Sequence, residues 1–462
     1  MNKKEIREWK DFLLDIVKVL EQKAVYADAL LLQTKELRVL KDKTSVDVNS
    51  DADKGIKIRA FDGEQFWEYG MSGFDKKKLM KQAKALSLKI KKKDKVKLDI
   101  DKKRLDNDFA SKPKIPVEKV PLSKKVKFVE QLQTKLIKTD AKIINARVLY
   151  AEESEFKIFV NKYKQLSQYL SKGLVITMPY VQTDEGDIRY HYCSFFKPGY
   201  EVTSIPDKKI KKIAAFAIRI RDAKKIKPGK YLCLFTAKVS GLLAHESFGH
   251  GLESDTVYKG RAKAKEYIGK RMAAKNVSIV DNPAYPDRNG SFFFDDEGFI
   301  TGPTYLIKNG IVQDPITEMY SASRLGVRRS GNGRIESFDH TLYARMSNTY
   351  FMPGKDSPKD MLKSMKKGMY LHFFGGGMED PKAWGVQIQG GVAERVKDGK
   401  LTGELFYEVG MTGFLPTILS NIKKVGNKLD IPGTGHCGKG HKEWVSVSEG
   451  GSCLLINDVD LS

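Results

Sequence analysis

The sequence predicts an α+β protein in two domains: an N-terminal α/β-layered domain over residues 1–226 and a strand-rich C-terminal domain over residues 227–462. Three observations predict it. A chain of 462 residues with 41% hydrophobic side chains is too long for one compact core and apolar enough to build more than one. Its apolar pattern opens as helix, strands, helix, which favours stacked layers over a run of βαβ units. Lys227-Pro228-Gly229-Lys230 joins the two strongest chain punctuators and separates a half with several helices from a half with few.

The elements follow in order. Trp9, Phe12, Leu13, Ile16, Val17 and Leu20 recur at helical spacing with charges between them, and predict the first helix. Strand patterns come next over 27–33 and 36–40, then over 55–61 in clean alternation, then over 66–69. Residues 77–88 read as a helix, and 94–120, rich in Lys, Asp and Pro, as a linker. An amphipathic helix over 123–139 carries Val126, Phe128, Val129, Leu132, Leu136 and Ile137. Strands over 141–153, 155–161, 173–182 and 188–196 follow, and a helix over 208–223 closes the half. Beyond the boundary, a strand at 231–235 leads into a helix over 238–252, and further apolar runs stand at 277–281 and 291–298. Asn309-Gly310, set between the runs 304–307 and 311–312, predicts a tight hairpin, and Asp398-Gly399 repeats the device.

A formal charge of +24 would ordinarily direct attention to nucleic acid or a membrane surface. Much of the excess lies between Lys76 and Arg104, where it is mostly lysine interleaved with Leu, Ile and Val rather than with stacking aromatics. Arg is the residue suited to bidentate recognition of bases and phosphates. The stretch therefore reads as a solvated helix and linker, and neither a nucleic-acid nor a membrane partner is expected. No stretch of roughly 18 apolar residues is present. Asp11, Asp15, Lys18, Glu21 and Lys23 break up the N-terminal segment, so no signal peptide is expected. Cys193, Cys233, Cys437 and Cys453 have no CxxC spacing, which predicts free thiols in a reducing compartment and a cytoplasmic location.

The densest chemistry lies in Leu243-Ala244-His245-Glu246-Ser247-Phe248-Gly249-His250-Gly251-Leu252-Glu253-Ser254-Asp255. A His followed at once by Glu is the opening of H-E-x-x-H, in which two His one helical turn apart share zinc and the Glu serves as general base. Here the His are five apart. At ~100° per residue they diverge by about 140° on an α-helix, so a regular helix cannot aim both at one ion. A single π-type turn would bring i and i+5 to one face. Alternatively the helix could unwind at Gly249 and Gly251, and the glycines flanking His250 favour this second route. Without a third ligand, the pattern is equally explained by a hydrogen-bonded polar helix end. Cys437, in the glycine-rich loop Gly435-His436-Cys437-Gly438-Lys439-Gly440-His441, is the candidate, because a thiolate is a strong zinc ligand. The other three cysteines have apolar, strand-like neighbours that suit a small buried hydrophobe.

Five separated motifs carry a family resemblance: His245 to His250 with Glu253 and Asp255; Ser330-Gly331-Asn332-Gly333-Arg334-Ile335-Glu336-Ser337; Ala344-Arg345-Met346-Ser347-Asn348-Thr349-Tyr350; Phe374-Gly375-Gly376-Gly377; and Cys437-Gly438-Lys439. In the same order they resemble the motifs of the TldD/PmbA family of peptidases, clearly over most of the second half and in outline over the first. The resemblance implies a zinc-dependent peptidase in which His245, His250 and Cys437 bind Zn²⁺ and Glu246 is the general base. It also implies the catalytic, TldD-like kind of subunit, since PmbA-like partners lack H-E-x-x-x-H. A homodimer, or a heterodimer with a PmbA-like subunit, enclosing a cavity for short or unfolded peptides is implied as well. His436 and His441 depart from the pattern as extra candidate ligands.

Three protein ligands and one open position are the pattern of catalytic rather than structural zinc. Zinc would acidify water, and Glu246 would take the proton as a peptide carbonyl is attacked. Arg334, His340, Tyr350 and His372 are candidates for stabilising the oxyanion, Arg334 and His340 being carried forward with Gly375, Gly376 and Gly377 as substrate-binding residues. No Lys-Ser/Thr follows the three glycines, so they are not a phosphate loop; a strand edge open to a substrate backbone is expected instead. The expected function is hydrolysis of peptides or unfolded segments, and the competing one is a non-catalytic subunit or peptide-binding module of a TldD/PmbA-type complex.

Overall fold

The structure is a computed structural model that describes residues 1–440 and 442–462. The chain opens on α1 (Lys3–Glu21), whose start is fixed by Asn2 and Glu5 in a reciprocal capping box and whose Leu13, Ile16, Val17 and Leu20 are buried. There follow β1 (Tyr26–Lys41), β2 (Val46–Phe61), β3 (Phe66–Ser72), α2 (Lys76–Lys89), β4 (Leu105–Ala110), α3 (Leu122–Ile137), β5 (Ile143–Asn161), β6 (Lys164–Gln182), β7 (Ile188–Tyr190), β8 (Cys193–Lys197) and α4 (Asp207–Arg221). They form one eight-stranded sheet in the order β3-β2-β1-β5-β6-β4, with β7 and β8 also paired to β6.

Two expectations change here. The runs 27–33 and 36–40 are one strand, as are 141–153 and 155–161, because the ladder continues where the apolar alternation stops: Lys35 pairs with Ala52 on one side and with Ser154 on the other. The 94–120 segment is also more than a linker. Its β4 runs parallel to Lys164–Tyr169 of β6, with Phe109 stacked on Phe293 at 5.2 Å, a long-range pairing that its local composition does not announce.

The second half begins with β9 (Gly229–Phe235) and α5 (Ala237–Ala244), then α6 (Ser254–Tyr258), β10 (Ile279–Asp281), β11 (Thr304–Lys308), β12 (Ile311–Val312), α7 (Met319–Leu325), β13 (Gly333–Arg334), β14 (Tyr343–Ala344), β15 (Asn348–Phe351) and α8 (Pro358–Lys363). It ends with β16 (Lys367–Phe373), β17 (Gly376–Asp380), β18 (Gly385–Lys397), β19 (Lys400–Phe414), α9 (Leu415–Ser420), β20 (Ile422–Val425), β21 (Gly435–Lys439), β22 (Lys442–Gly450) and β23 (Leu454–Leu461). Both predicted hairpin turns are present, with Asn309, Gly310, Asp398 and Gly399 all at positive φ as the two-residue turn requires. The 291–298 run forms no strand. Its acids are instead buried against the N-terminal sheet, with Asp296 2.6 Å from Lys157 and Glu297 3.0 Å from Arg59.

Two sheets frame this half, β12-β11-β10-β15-β22-β21 and β16-β9-β23-β19-β18-β17, and the second closes on itself because β16 also pairs with β18. One position on that ring stays open. β16 and β17 run consecutively along the same edge of β18, but β9 covers only β16, through Met369 to Leu371, and leaves β17 with an edge that is free among the described residues. α5 springs from the end of β9 beside that edge. The α5 side chains Val239, Leu242 and Leu243 join the largest core, together with Phe351, Leu371, Val445 and Val447 from the strands around it. Gly241 allows that seat: a Cβ there would stand 2.3 Å from the Gly450 backbone nitrogen at the end of β22.

Candidate metal centre

At the end of α5 the helix widens into a single π-turn, His245–Gly249, in which the His250 N–H donates to the His245 carbonyl at 3.2 Å. This is the first of the two routes the spacing left open, not the unwinding that the flanking glycines favoured. Gly249 and Gly251 keep negative φ and serve close packing instead. A Cβ on Gly249 would meet Met346 Sδ at 2.7 Å, and one on Gly251 would meet the Ser247 carbonyl at 2.4 Å and Trp384 Nε1 at 2.9 Å. The Ser247 hydroxyl donates back to the Leu243 carbonyl, a competitor for the helical ladder, and the Trp384 indole N–H donates to the Ser247 carbonyl at 3.4 Å.

The π-turn sets the His245 and His250 rings edge to face, 5.3 Å apart. Cys437 reaches them from β21, with Sγ 3.1 Å from His250 Nε2, and one ligand atom from each of the three residues lies within 4.8 Å of the others. β21 and β22 pair with Cys437 opposite Val445 and His436 opposite Ser446. By alternation, Cys437 faces the helix while His436 faces away, where it lines a separate cavity of about 440 Å³ with Trp444, Ser446 and Arg334. His441 lies outside the described residues.

Carboxylates back both imidazoles. Glu253 Oε2 is 3.8 Å from His250 Nδ1, and Glu449 Oε2 is 3.9 Å from His245 Nδ1. Burial would raise the Glu253 carboxyl, but Lys439 and Arg345 hold it well below the usual carboxylate range, with Arg345 Nε 2.9 Å and Lys439 Nζ 3.0 Å away. Arg345 also donates to the Cys437 carbonyl at 3.0 Å and lies 3.3 Å from its Sγ. Burial would likewise raise the Cys437 thiol, and the facing His245 and His250 overturn this and bring it down to about 5. A thiolate and two imidazoles converge on one point, with carboxylates behind the rings. This donor set, with its ligand atoms within 4.8 Å of one another, fits a divalent metal such as zinc.

Glu246 is 6% exposed beside this cluster. Above it runs β17, and a Cβ on Gly377 would lie 2.9 Å from Glu246 Cγ. The structure therefore brings together His245, Glu246, His250, Cys437 and Gly377. A Cβ on Gly376 would meet nothing within 4 Å, and the atoms nearest to one on Gly375 belong to the backbone of Gln389 and Gly390. Arg334 and His340 are elsewhere. Arg334 donates to the Met346 and Ser446 carbonyls at 2.8 and 2.9 Å, and His340 Nδ1 lies 3.2 Å from Glu443. Tyr350 accepts from Asn282 at 3.3 Å, and His372 is 2.8 Å from Glu394. The roles of Arg345, Lys439 and Glu449 escaped sequence reasoning. The first two stand inside motifs already singled out, while Glu449 has no local signal beyond alternating with Val445 and Val447 along β22.

The family model of the PmbA/TldA metallopeptidase C-terminal domain matches residues 228–459. A Methanothermobacter thermautotrophicus protein named metalloprotease is 24% identical over 452 residues, 97% of this chain and 98% of its own length. A Saccharolobus solfataricus protein named zinc metalloprotease TldD homolog is 30% identical over 232 residues, about half of each chain (50% and 51%). The crystal structure of TldE from Thermococcus kodakarensis shares the fold with a TM-score of 0.74 at 13% identity, covering 96% of this chain and 99% of that one. Since the matched region spans half of the sequence and contains the whole cluster of His245, Glu246, His250 and Cys437, the chain belongs to the TldD/PmbA family of metallopeptidases.

Proposed function

We propose that this protein is a zinc-dependent peptidase that hydrolyses peptides or unfolded segments of polypeptide. The observation that carries the reading is the convergence of His245, His250 and Cys437, with ligand atoms within 4.8 Å of one another and Glu246 adjacent in sequence and space. His245, His250 and Cys437 would hold the metal, which when bound supplies Lewis acidity toward a peptide carbonyl and toward water. The Glu246 carboxylate accepts the proton of the attacking water and returns it to the departing amine. Gly377 lets β17 lie close over Glu246, and the open edge of β17 pairs with the backbone of a substrate chain as an added strand. Main-chain pairing makes few demands on side chains, which agrees with unfolded polypeptide as substrate.

Arg345 and Lys439 act at one remove, keeping Glu253 ionised behind His250 so that its ring stays oriented. A second copy of the chain, or a PmbA-like subunit, is the proposed partner. No helix among the described residues is long and apolar enough to cross a membrane, and the cytoplasm is the proposed location.

Glu246→Gln is the decisive variant. Hydrolysis of an unstructured peptide should fall by ~10²-fold to 10⁴-fold, the range for loss of a general base, while metal content is retained. Unchanged hydrolysis would remove Glu246 from the role of general base, and a wild type that hydrolyses no peptide would assign the chain to the non-catalytic, peptide-binding alternative.

A further inference from the structure

Glu379 shares the cleft with Glu246 and has no part in the chemistry above. It follows Gly377 by two positions on β17, so the two project to the same face of the strand, toward the helix that carries His245 and His250. Gly377 packs on Glu246, and further along, Glu379 packs on Gly251, whose Cβ, were there one, would stand 3.1 Å from Glu379 Oε1. Both carboxyl oxygens of Glu379 are buried, and neither has a hydrogen-bond partner among the described residues.

The neighbours do not offer one. Glu253 is engaged by Arg345 and Lys439, and the Trp384 indole N–H is directed to the Ser247 carbonyl. Glu253, Glu246 and Asp380 add like charge around Glu379, opposed by His250. A buried, unpaired carboxyl surrounded by three other acids is costly in the free protein, and a cation that arrives with a ligand relieves both the charge and the missing hydrogen bonds. An ammonium group meets both needs with three donors. The open edge of β17 is where a peptide would lie, and at ~3.3 Å per residue Glu379 stands about 7 Å along it from Gly377, the span of two residues.

We propose that Glu379 is a specificity-determining residue of the cleft, which receives a primary ammonium group of the substrate about two residues from the bond positioned over Glu246. The proposal rests on the peptidase reading. Two sources supply the same chemistry, the free amino terminus of a short peptide and a lysine side chain within a longer one. Either enters with the charge that Glu379 lacks, and a neutral substrate leaves the carboxyl unpaired.

The test uses the full-length protein with its metal and three versions of one unstructured peptide: with a free amino terminus, N-acetylated and free of lysine, and N-acetylated with lysine scanned through its positions. Wild-type protein should favour one of the cationic forms over the neutral form by about tenfold or more in kcat/KM, mainly through KM. Glu379→Gln should reduce that preference to within about twofold, and Glu379→Asp should keep part of it. Preference confined to the free terminus identifies the α-ammonium; preference for the acetylated lysine peptides identifies the side chain. Equal use of cationic and neutral peptides by the wild type, or an undiminished preference in Glu379→Gln, overturns the proposal. Equilibrium binding of the same peptides to Glu246→Gln and to Glu246→Gln/Glu379→Gln reads the preference without turnover. Absence of hydrolysis thus overturns the peptidase reading, while the charge preference is still decided by binding.

Discussion

Replacing Gly377 with alanine tests how closely β17 and the π-turn must fit. The added Cβ would stand 2.9 Å from Glu246 Cγ and 3.2 Å from its Cδ and Oε1. Carbon atoms in contact prefer about 3.5–4.0 Å, so one side must yield by about 0.6 Å or more. β17 is held by its ladder to β18, and Glu246 is buried, so the carboxylate should absorb most of the shift. A misplacement approaching 1 Å costs a reaction on the order of 10²-fold, and we expect kcat to fall between about 10-fold and 100-fold, or roughly 1.4–2.7 kcal/mol of transition-state stabilisation. The assay is steady-state cleavage of an unstructured peptide alongside metal analysis. Gly385→Ala is the control, on the neighbouring strand, where an added Cβ meets nothing within 4 Å. Full activity of Gly377→Ala with a full complement of metal would refute the requirement for a close fit of β17 on Glu246.

Cys437→Ser removes the thiolate from the proposed ligand set and should abolish stoichiometric zinc in the purified protein; retained zinc would mean that the two imidazoles find their third ligand elsewhere. Glu318 offers a pH test of stability away from the site. It caps α7 by accepting from the Ser321 and Tyr320 N–H groups, yet burial, and next the nearby Glu297, raise its carboxyl to about 7. A carboxyl raised on folding stabilises the fold fully below its unfolded value of 4.5 and loses that contribution as the pH climbs through about 7, a change of at most roughly 3 kcal/mol. Urea unfolding at pH 5 and pH 8 should therefore give a smaller difference for Glu318→Gln than for wild type, and an equal difference would exclude Glu318 as a source.

Local order carried the sequence far. Residues that alternate, recur at helical spacing or demand positive φ write their conformation into a few neighbouring positions, which is why α1, the Asn309-Gly310 turn and the Asp398-Gly399 turn were legible. Long-range pairing was not. β4 has too few apolar residues to announce itself and exists because β6 offers it an edge, and the polar stretch at Gln33, Thr34 and Lys35 continues a strand because two neighbours hydrogen-bond to it.

The site divides in the same way. Sequence by itself singled out His245, Glu246, His250 and Cys437 as the candidate site, since residue type and motif order are local facts. It left the five-residue spacing with two geometric solutions. Tertiary packing decided between them: Met346 against Gly249 and Trp384 against Gly251 hold a π-turn where free glycines would have allowed unwinding. The same packing sorted the hairpin, turning Cys437 toward the helix and His436 away from it by the alternation of a strand whose register depends on β22. Glu379 became visible only when β17 was set against Gly251, because an unpaired carboxyl is defined by what surrounds it, and its surroundings come from segments more than a hundred residues apart in the chain.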